Sequence, residues 1–201
     1  MKLYYSPGAC SLAPHIALRE AGLPFEAVLA STKTKRLPDG SDYLAVNPKG
    51  QVPLLELDNG ERLSEGPVIQ QYIADLVPAS GLLPPAGSWA RYRVLEWLNF
   101  ITSELHKGFT PLFNPAVPAD TKALFAQRLK ERLAWVDSQL DGRVHLTGDT
   151  FTIADGYLFV VSNWTQPTGI DLAGLDRLQA FRARVAARPA VQAALQAEGL
   201  R

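Results

Sequence analysis

Lys2-Leu3-Tyr4-Tyr5-Ser6-Pro7-Gly8-Ala9-Cys10-Ser11-Leu12 carries a short β-rich run, a turn and the first residues of a helix. The aromatic and branched residues of Lys2–Ser6 suit a strand, and Pro7-Gly8 ends it. From Ser11 to Ala21 apolar residues recur at Leu12, Ile16 and Leu18, with Arg19 and Glu20 turned outward and Gly22 as the stop. Pro14 falls in the first turn of that helix, where its missing N–H costs nothing. Cys10 sits where the helix begins, and the unpaired amides and dipole there favour a thiolate or another anion. A small buried core residue is the other reading, since free cysteines often serve as one. Ala13 stands where a dithiol motif needs its second cysteine. Internal disulfide chemistry is thereby excluded, but a mixed disulfide with a small thiol is not.

Working outward, Phe25–Ala30 reads as a second strand. Val52–Leu57 and Arg62–Leu63 flank Asp58-Asn59-Gly60, a tight hairpin signal. Pro67–Val77 returns to a helical period through Val68, Ile69, Tyr72, Ile73 and Leu76. The order β-α-β, connection, β-β-α predicts a small α/β domain of thioredoxin-like type over residues 1–78. Pro78, Gly81, Pro84, Pro85 and Gly87 then crowd a short segment, read as a linker over 79–88. Beyond it residues 89–201 read as an all-α helical bundle. Trp89–Lys107 has a stripe at Tyr92, Leu95, Leu98, Ile101 and Leu105, and Thr121–Leu140 has one at Leu124, Phe125, Leu129, Leu133, Val136 and Leu140. Thr152–Trp164 is apolar nearly all round and is expected at the bundle centre, with Leu175–Ala187 and Ala190–Ala197 completing it.

The bulk numbers agree with two ordinary small domains. The chain has 201 residues, 47% of them hydrophobic and 20% charged, which leaves no disordered character. Lysine plus arginine equals aspartate plus glutamate at 20 each, which argues against nucleic acid or an anionic membrane surface as a partner. One cysteine suits a reducing compartment. The apolar run after Met1 is too short for a signal peptide, and no later stretch suits a bilayer span. A cytoplasmic, soluble protein is expected. The three histidines lack ligand spacing, so no metal is expected.

Four further segments carry chemistry. In Gln51-Val52-Pro53 a proline near the start of a strand reads either as an edge position or as a cis peptide that turns the chain sharply. The second arrangement leaves Val52 to pair with an extended peptide ligand as an added strand. In Ser64-Glu65-Gly66-Pro67 a helix begins, so its amides suit a carboxylate while Glu65 suits an ammonium group, or Glu65 simply decorates a helix start. Asn99, Ser103 and His106 recur at i, i+4 and i+7 on one helical face, beside Glu104 and Lys107, which reads as a solvated stripe or as a binding face. Thr152-Ile153-Ala154-Asp155 is a capping box with aspartate for the usual glutamate; Gly156 stands where a hydrophobic staple to Phe151 would close.

Together these segments resemble the cytosolic glutathione S-transferases, and among them the bacterial beta class. The likeness rests on Tyr5–Leu12, on Asn47-Pro48-Lys49-Gly50-Gln51-Val52-Pro53, on Leu63-Ser64-Glu65-Gly66, on Glu96–Asn99, on Glu104–Phe109 and on Phe151–Asp155. The Asn-Pro-x-Gly-x-Val-Pro segment and the Thr-Ile-Ala-Asp box are specific in combination, and Cys10 with His106 points to the beta class. The resemblance implies a homodimer with glutathione as co-substrate. It implies that Val52, with Pro53 cis and Gln51 beside it, pairs with the cysteinyl backbone of glutathione. Glu65 and Gly66 take the γ-glutamyl end, helped by Glu104 across the dimer, and Lys35 meets the glycine carboxylate. Asn99, Ser103, Leu105, His106 and Lys107 line the site from the helical domain, and Cys10 lies beside the glutathione sulfur. Tyr5 and Ser11, hydroxyls of the kind other classes use, are not the expected essential groups.

The implied activity is conjugation of the glutathione thiolate to small hydrophobic electrophiles, a detoxifying transfer, with Cys10 and His106 as catalytic candidates. Lowering a thiol pKa by ~2 units corresponds to about 2.7 kcal/mol, within reach of a few charge-assisted hydrogen bonds. Tyr5, Phe109, Phe113 and Trp164 are the expected lining of the electrophile pocket, shaped by a helix break over Thr110–Pro118. Three other readings stand: a redox enzyme cycling Cys10 through a glutathione mixed disulfide, a non-catalytic carrier of apolar ligands, and a dedicated glutathione-dependent isomerase, dehalogenase or ether-cleaving enzyme.

Overall fold

The computed structural model describes residues 1–200, which form two compact units. The first holds Met1–Leu83 together with the C-terminal segment from Arg188, and the second holds Pro84–Ala187.

In the first unit β1 (Lys2–Tyr5), β2 (Glu26–Leu29), β3 (Leu54–Glu56) and β4 (Arg62–Ser64) make one sheet in the order β2-β1-β3-β4. β1 runs parallel to β2 and antiparallel to β3, with Leu3 opposite Leu55. β3 and β4 close the hairpin expected around Asn59-Gly60, with Leu55 opposite Leu63. Helices α1 (Leu12–Glu20) and α3 (Gly66–Leu76) pack together, and Leu3, Ile16, Leu18, Leu55, Ile69 and Ile73 are fully buried. Tyr4, Ala30, Tyr43, Val52 and Leu54 form a further buried cluster. Tyr43 begins α2 (Tyr43–Val46), a single turn that the sequence reading does not contain. Asp42 starts it by accepting from the Leu44 N–H at 3.0 Å.

α10 (Pro189–Ala197), the last helix read from the sequence, packs on α1 within the first compact unit. Arg188 ties it down, its Nε and Nη2 meeting the two Glu20 oxygens at 2.6 and 2.8 Å.

The second unit is all helical: α4 (Trp89–Phe100), a π-helical turn (Ile101–His106), α5 (Lys107–Phe113), α6 (Ala119–Gln139), α7 (Ile153–Asn163), α8 (Thr165–Thr168) and α9 (Asp176–Ala186). α7 is buried through Ser162, as its composition predicts. The capping box forms, with the Thr152 N–H and Oγ1 both donating to Asp155 Oδ2 at 2.8 Å. Phe151 meets the His145 ring edge-on. Asp137 of α6 caps a second helix, accepting from the Leu178 N–H of α9 at 2.8 Å. Among the described residues no helix is long and apolar enough to cross a membrane.

Two expected stripes are corrected. On α4 and the turn after it the buried residues are Val94, Trp97, Leu98, Ile101 and Leu105, whereas Tyr92 is exposed. On α6 Leu124 is 69% exposed. Pro111 does not break its helix; α5 runs on to Phe113 and the chain leaves helical geometry at Asn114.

Gly108 lets α5 approach α6. A Cβ there would lie 2.8 Å from Leu129 Cδ2 and 3.3 Å from its Cγ, and Leu129 is buried. Gly108→Ala gains about 1 kcal/mol of helix propensity and meets about 1–3 kcal/mol of overpacking. A net loss of about 1 kcal/mol is expected by urea unfolding; a rise in stability would show that Leu129 yields freely.

Candidate functional site

In the first unit the turn before α1 is held shut by Ser11. Its Oγ accepts from the Ser6 N–H at 3.1 Å and donates to the Ser6 carbonyl at 3.2 Å, with the residue fully buried. That hydroxyl is a structural clasp. The Tyr5 hydroxyl is no better placed to ionise, since burial and then the nearby charge of Glu198 push it above the ordinary phenol range.

Cys10 is half-buried at this turn, and its Sγ donates to the Val52 carbonyl at 3.3 Å. The Val52–Pro53 peptide is cis. Sequence reasoning left the Val52 carbonyl for a ligand; in this structure the thiol occupies it. Behind Val52 the Gln51 carbonyl accepts from Tyr43 Oη at 2.8 Å and Asn47 Nδ2 at 2.7 Å, so buried side chains set the path of this segment while the Gln51 side chain is exposed. Lys35 has a left-handed backbone (φ 56°), and its Nζ donates to the Gly50 carbonyl at 2.6 Å. Gly50 is itself left-handed, and a Cβ there would lie 2.9 Å from Leu44 Cδ2. Glu65 also has a positive φ (73°) and precedes Gly66 at the start of α3. Its carboxylate meets Lys49 Nζ at 3.0 Å in a solvent-exposed pair of small energetic weight.

A buried relay that sequence reasoning missed reaches the same turn. The Gly8 N–H donates to Glu198 Oε2 at 3.0 Å, Glu198 Oε1 lies 2.8 Å from His15 Nδ1, and Arg19 Nε donates to His15 Nε2 at 3.0 Å. Arginine only donates, so Nε2 must accept and the proton of neutral His15 sits on Nδ1, directed at the carboxylate. The side chains of His15 and Glu198 are fully buried.

In the second unit Asn99 and Ser103 are exposed, and Ser103 Oγ donates to the Asn99 carbonyl at 3.0 Å. Glu104 accepts from Arg128 and Arg132 at 3.3 and 3.0 Å, and these hydrogen bonds, Arg128's foremost, hold its carboxyl below the usual range. His106 Nδ1 lies 2.6 Å from Tyr157 Oη, and its ring meets Trp164 edge-on at 4.8 Å. The π-helical turn, whose wide bond runs from the Lys107 N–H to the Thr102 carbonyl, holds one residue more than an α-turn. That residue shifts the phase by about 100° and carries His106 off the Asn99/Ser103 face on which the spacing placed it. Lys107 is exposed. The Leu105 side chain is wholly buried.

Of the expected electrophile lining, Phe109, Phe113 and Trp164 are mutual neighbours, with ring centroids 5.7 to 6.4 Å apart. Phe113 is 51% exposed and Trp164 partly so, whereas Phe109 is fully buried. Tyr5 lies in the first unit, its ring beside His15.

Comparison with known proteins identifies the family. The family pattern described as glutathione S-transferase, N-terminal domain, matches residues 8–76, and that described as glutathione S-transferase, C-terminal domain, matches residues 103–198. The chain is 52% identical to glutathione S-transferase GstA of Escherichia coli O157:H7 over the whole of both chains. Among solved structures it resembles a sphingomonad glutathione S-transferase complexed with glutathione (53% identity, TM-score 0.96, all of both chains). It equally resembles a bacterial beta class glutathione S-transferase of Sphingomonas chungbukensis (47% identity, TM-score 0.97, all of both chains).

Proposed function

The chain belongs to the glutathione S-transferases, in their bacterial beta class, and from that premise we propose how its residues divide the work. It is a glutathione S-transferase with the thioredoxin-like and helical architecture of that family. The electrophiles are small and hydrophobic, and the reaction is attack of the glutathione thiolate on an activated carbon, with the leaving group departing as an anion or acid. The observation that carries the assignment is Cys10 Sγ against the Val52 carbonyl, because it brings a lone thiol to the backbone edge where a cysteinyl peptide would pair.

Val52 pairs with the cysteinyl backbone, with Gln51 and Pro53 shaping its approach. Glu65 and Gly66 at the start of α3 take the γ-glutamyl group, whose ammonium suits the carboxylate and whose carboxylate suits the helix amides. Lys35 takes the glycine carboxylate, exchanging the Gly50 carbonyl for it. From the helical unit Asn99, Ser103, His106 and Lys107 contribute polar contacts, and Phe113 with Trp164 offers aromatic faces to the electrophile, Phe109 behind them. The protein works as a cytoplasmic homodimer, a reading supported by the exposed Trp89 (77%) and Tyr92 (56%) on the helical unit. Glu104, preset as an anion by its two arginines, serves the γ-glutamyl group across that dimer.

His106, not Cys10, is assigned the main part in stabilising the glutathione thiolate, since the Cys10 thiol is engaged with a carbonyl. A second activity follows from Cys10 itself. Its thiolate can attack glutathione disulfide, forming a mixed disulfide and releasing one glutathione as thiolate. Two variants separate these roles. Cys10→Ala is expected to abolish thiol–disulfide exchange and to lower conjugation only several-fold. His106→Gln is expected to lower kcat for conjugation of an activated aryl halide at least tenfold, the scale of losing one donor to a developing or bound anion. Loss of conjugation in Cys10→Ala, with His106→Gln near normal, would reverse the assignment.

A further inference from the structure

Within the first unit Lys49 reaches from the segment that carries Val52 to the start of α3. Its backbone is set by the buried Asn47, whose Oδ1 accepts from the Lys49 N–H at 3.2 Å and whose carbonyl accepts from the Gly50 N–H at 2.8 Å. From that turn Lys49 Nζ donates to Ser64 Oγ and to Glu65 Oε1, each at 3.0 Å. Ser64 ends β4, and Glu65 follows with φ 73° before α3 begins at Gly66. The Lys49 and Glu65 side chains are 55% and 64% exposed, so the pair exchanges partners at little cost.

The start of α3 is poor in donors. Pro67 has no N–H, and those of Val68 and Ile69 both donate to the Glu65 carbonyl at 3.0 Å. Among the described residues this leaves the Gly66 N–H as the one amide of the first turn open to a ligand. A carboxylate has two oxygens with room for about four hydrogen bonds, so one amide leaves it largely unanswered. An ammonium group taken by Glu65 has the opposite difficulty. Whichever carboxylate oxygen it uses, it comes to lie near the Lys49 ammonium, a like charge. A ligand with both groups on one carbon removes both difficulties. Its ammonium takes Glu65, its carboxylate takes Lys49 Nζ with the Gly66 N–H, and the four charges alternate with none unpaired. We infer that Lys49 is a specificity residue for the γ-glutamyl end of glutathione, reading the α-carboxylate while Glu65 reads the α-ammonium. This rests on the reading that Glu65 and Gly66 receive the γ-glutamyl group.

Three peptides titrated calorimetrically into the full-length protein test this. They are glutathione, γ-aminobutyryl-cysteinyl-glycine, which lacks the α-carboxylate, and glutaryl-cysteinyl-glycine, which lacks the α-ammonium. Lys49→Met keeps the stem and removes the charge. It is expected to weaken glutathione about fivefold, the upper range for an exposed ion pair, and to leave the γ-aminobutyryl peptide within about twofold or tighter. A Lys49 that only supports the local structure would weaken both peptides alike. That result, or an unchanged affinity for glutathione, overturns the inference. Glu65→Gln separates the two layers, and is expected to weaken glutathione more than the glutaryl peptide. If it does so while Lys49→Met shows no selectivity, only the role of Lys49 fails. If Glu65→Gln weakens glutathione and the glutaryl peptide equally, the reading of Glu65 at the γ-glutamyl ammonium fails and the inference with it.

Discussion

Asp155→Ala is expected to destabilise the protein by about 3–5 kcal/mol, because it removes a buried acceptor that three donors share. The carboxylate is fully buried and accepts from the Leu146 N–H, the Thr152 N–H and Thr152 Oγ1, each at 2.8 Å. It therefore does two jobs. It closes the first turn of α7, the most buried helix in the chain, and it pins the loop around Leu146 to that turn. Burial pushes its carboxyl above the usual range, and the hydrogen bonds from Leu146 and Thr152, then the charge of the nearby His145, act against that rise. Alanine leaves three donors facing a dry interior at about 1–3 kcal/mol each, partly relieved where water enters the space. In thermal unfolding this amounts to a drop of roughly 10 °C for a protein of this size. Asp155→Asn should fall between, since its amide keeps one accepting oxygen and turns a donor toward the others. Thr152→Ala should cost about 1 kcal/mol, the value of the cap hydroxyl. An alanine variant within 1 kcal/mol of wild type would mean that the loop around Leu146 relaxes to other partners.

Features like this one were legible in the sequence because they are local. Thr152 and Asp155 are three residues apart, the strand, turn and helix around Cys10 occupy a dozen residues, and Asn59-Gly60 sits between its own two strands. Element order followed from such pieces, and so did the family. Phase within a helix was harder. Two stripes at 3-to-4 spacing compete on α4, one starting at Tyr92 and the other at Val94, and only tertiary packing selects the second. The π-helical turn leaves no compositional mark, so the face shared by Asn99, Ser103 and His106 was drawn on an α-helix that does not continue there. α2 and α8 are four residues each, too short for periodicity to register. Leu105 and Phe109 are both wholly buried, which neither residue's place in the sequence reveals. The contacts missed altogether join residues far apart in the chain. Tyr157 is 51 positions from His106, and Glu198 is 183 positions from His15.

Glu198→Ala is expected to cost about 3–4 kcal/mol and to loosen the turn that carries Cys10, effects of one carboxylate reached from opposite ends of the chain. Removing it leaves the Gly8 N–H and the His15 Nδ1–H without their acceptor in a buried place. Leu200 also leaves that turn if the segment shifts, since its Cδ2 lies 3.6 Å from where a Gly8 Cβ would stand. The relay ends at Arg19, whose donation to Nε2 fixes the histidine tautomer. His15 therefore cannot simply rotate to find another acceptor. His15→Phe should couple to Glu198→Ala by about 1–2 kcal/mol in a double-mutant cycle, the signature of a shared hydrogen bond rather than of two independent losses. The functional consequence is measurable without any substrate. Cys10 is the one thiol in the chain, so its rate of reaction with a small aromatic disulfide reports the state of this turn alone. That rate should rise several-fold in Glu198→Ala under conditions where the variant is still folded, because the Gly8 amide no longer holds the turn against the carboxylate. Unchanged stability with unchanged thiol reactivity would mean that the Ser11 clasp suffices to hold the turn. Reduced stability with unchanged reactivity would confine Glu198 to anchoring α10. Only the rise in both places the C-terminal carboxylate in control of the Cys10 environment.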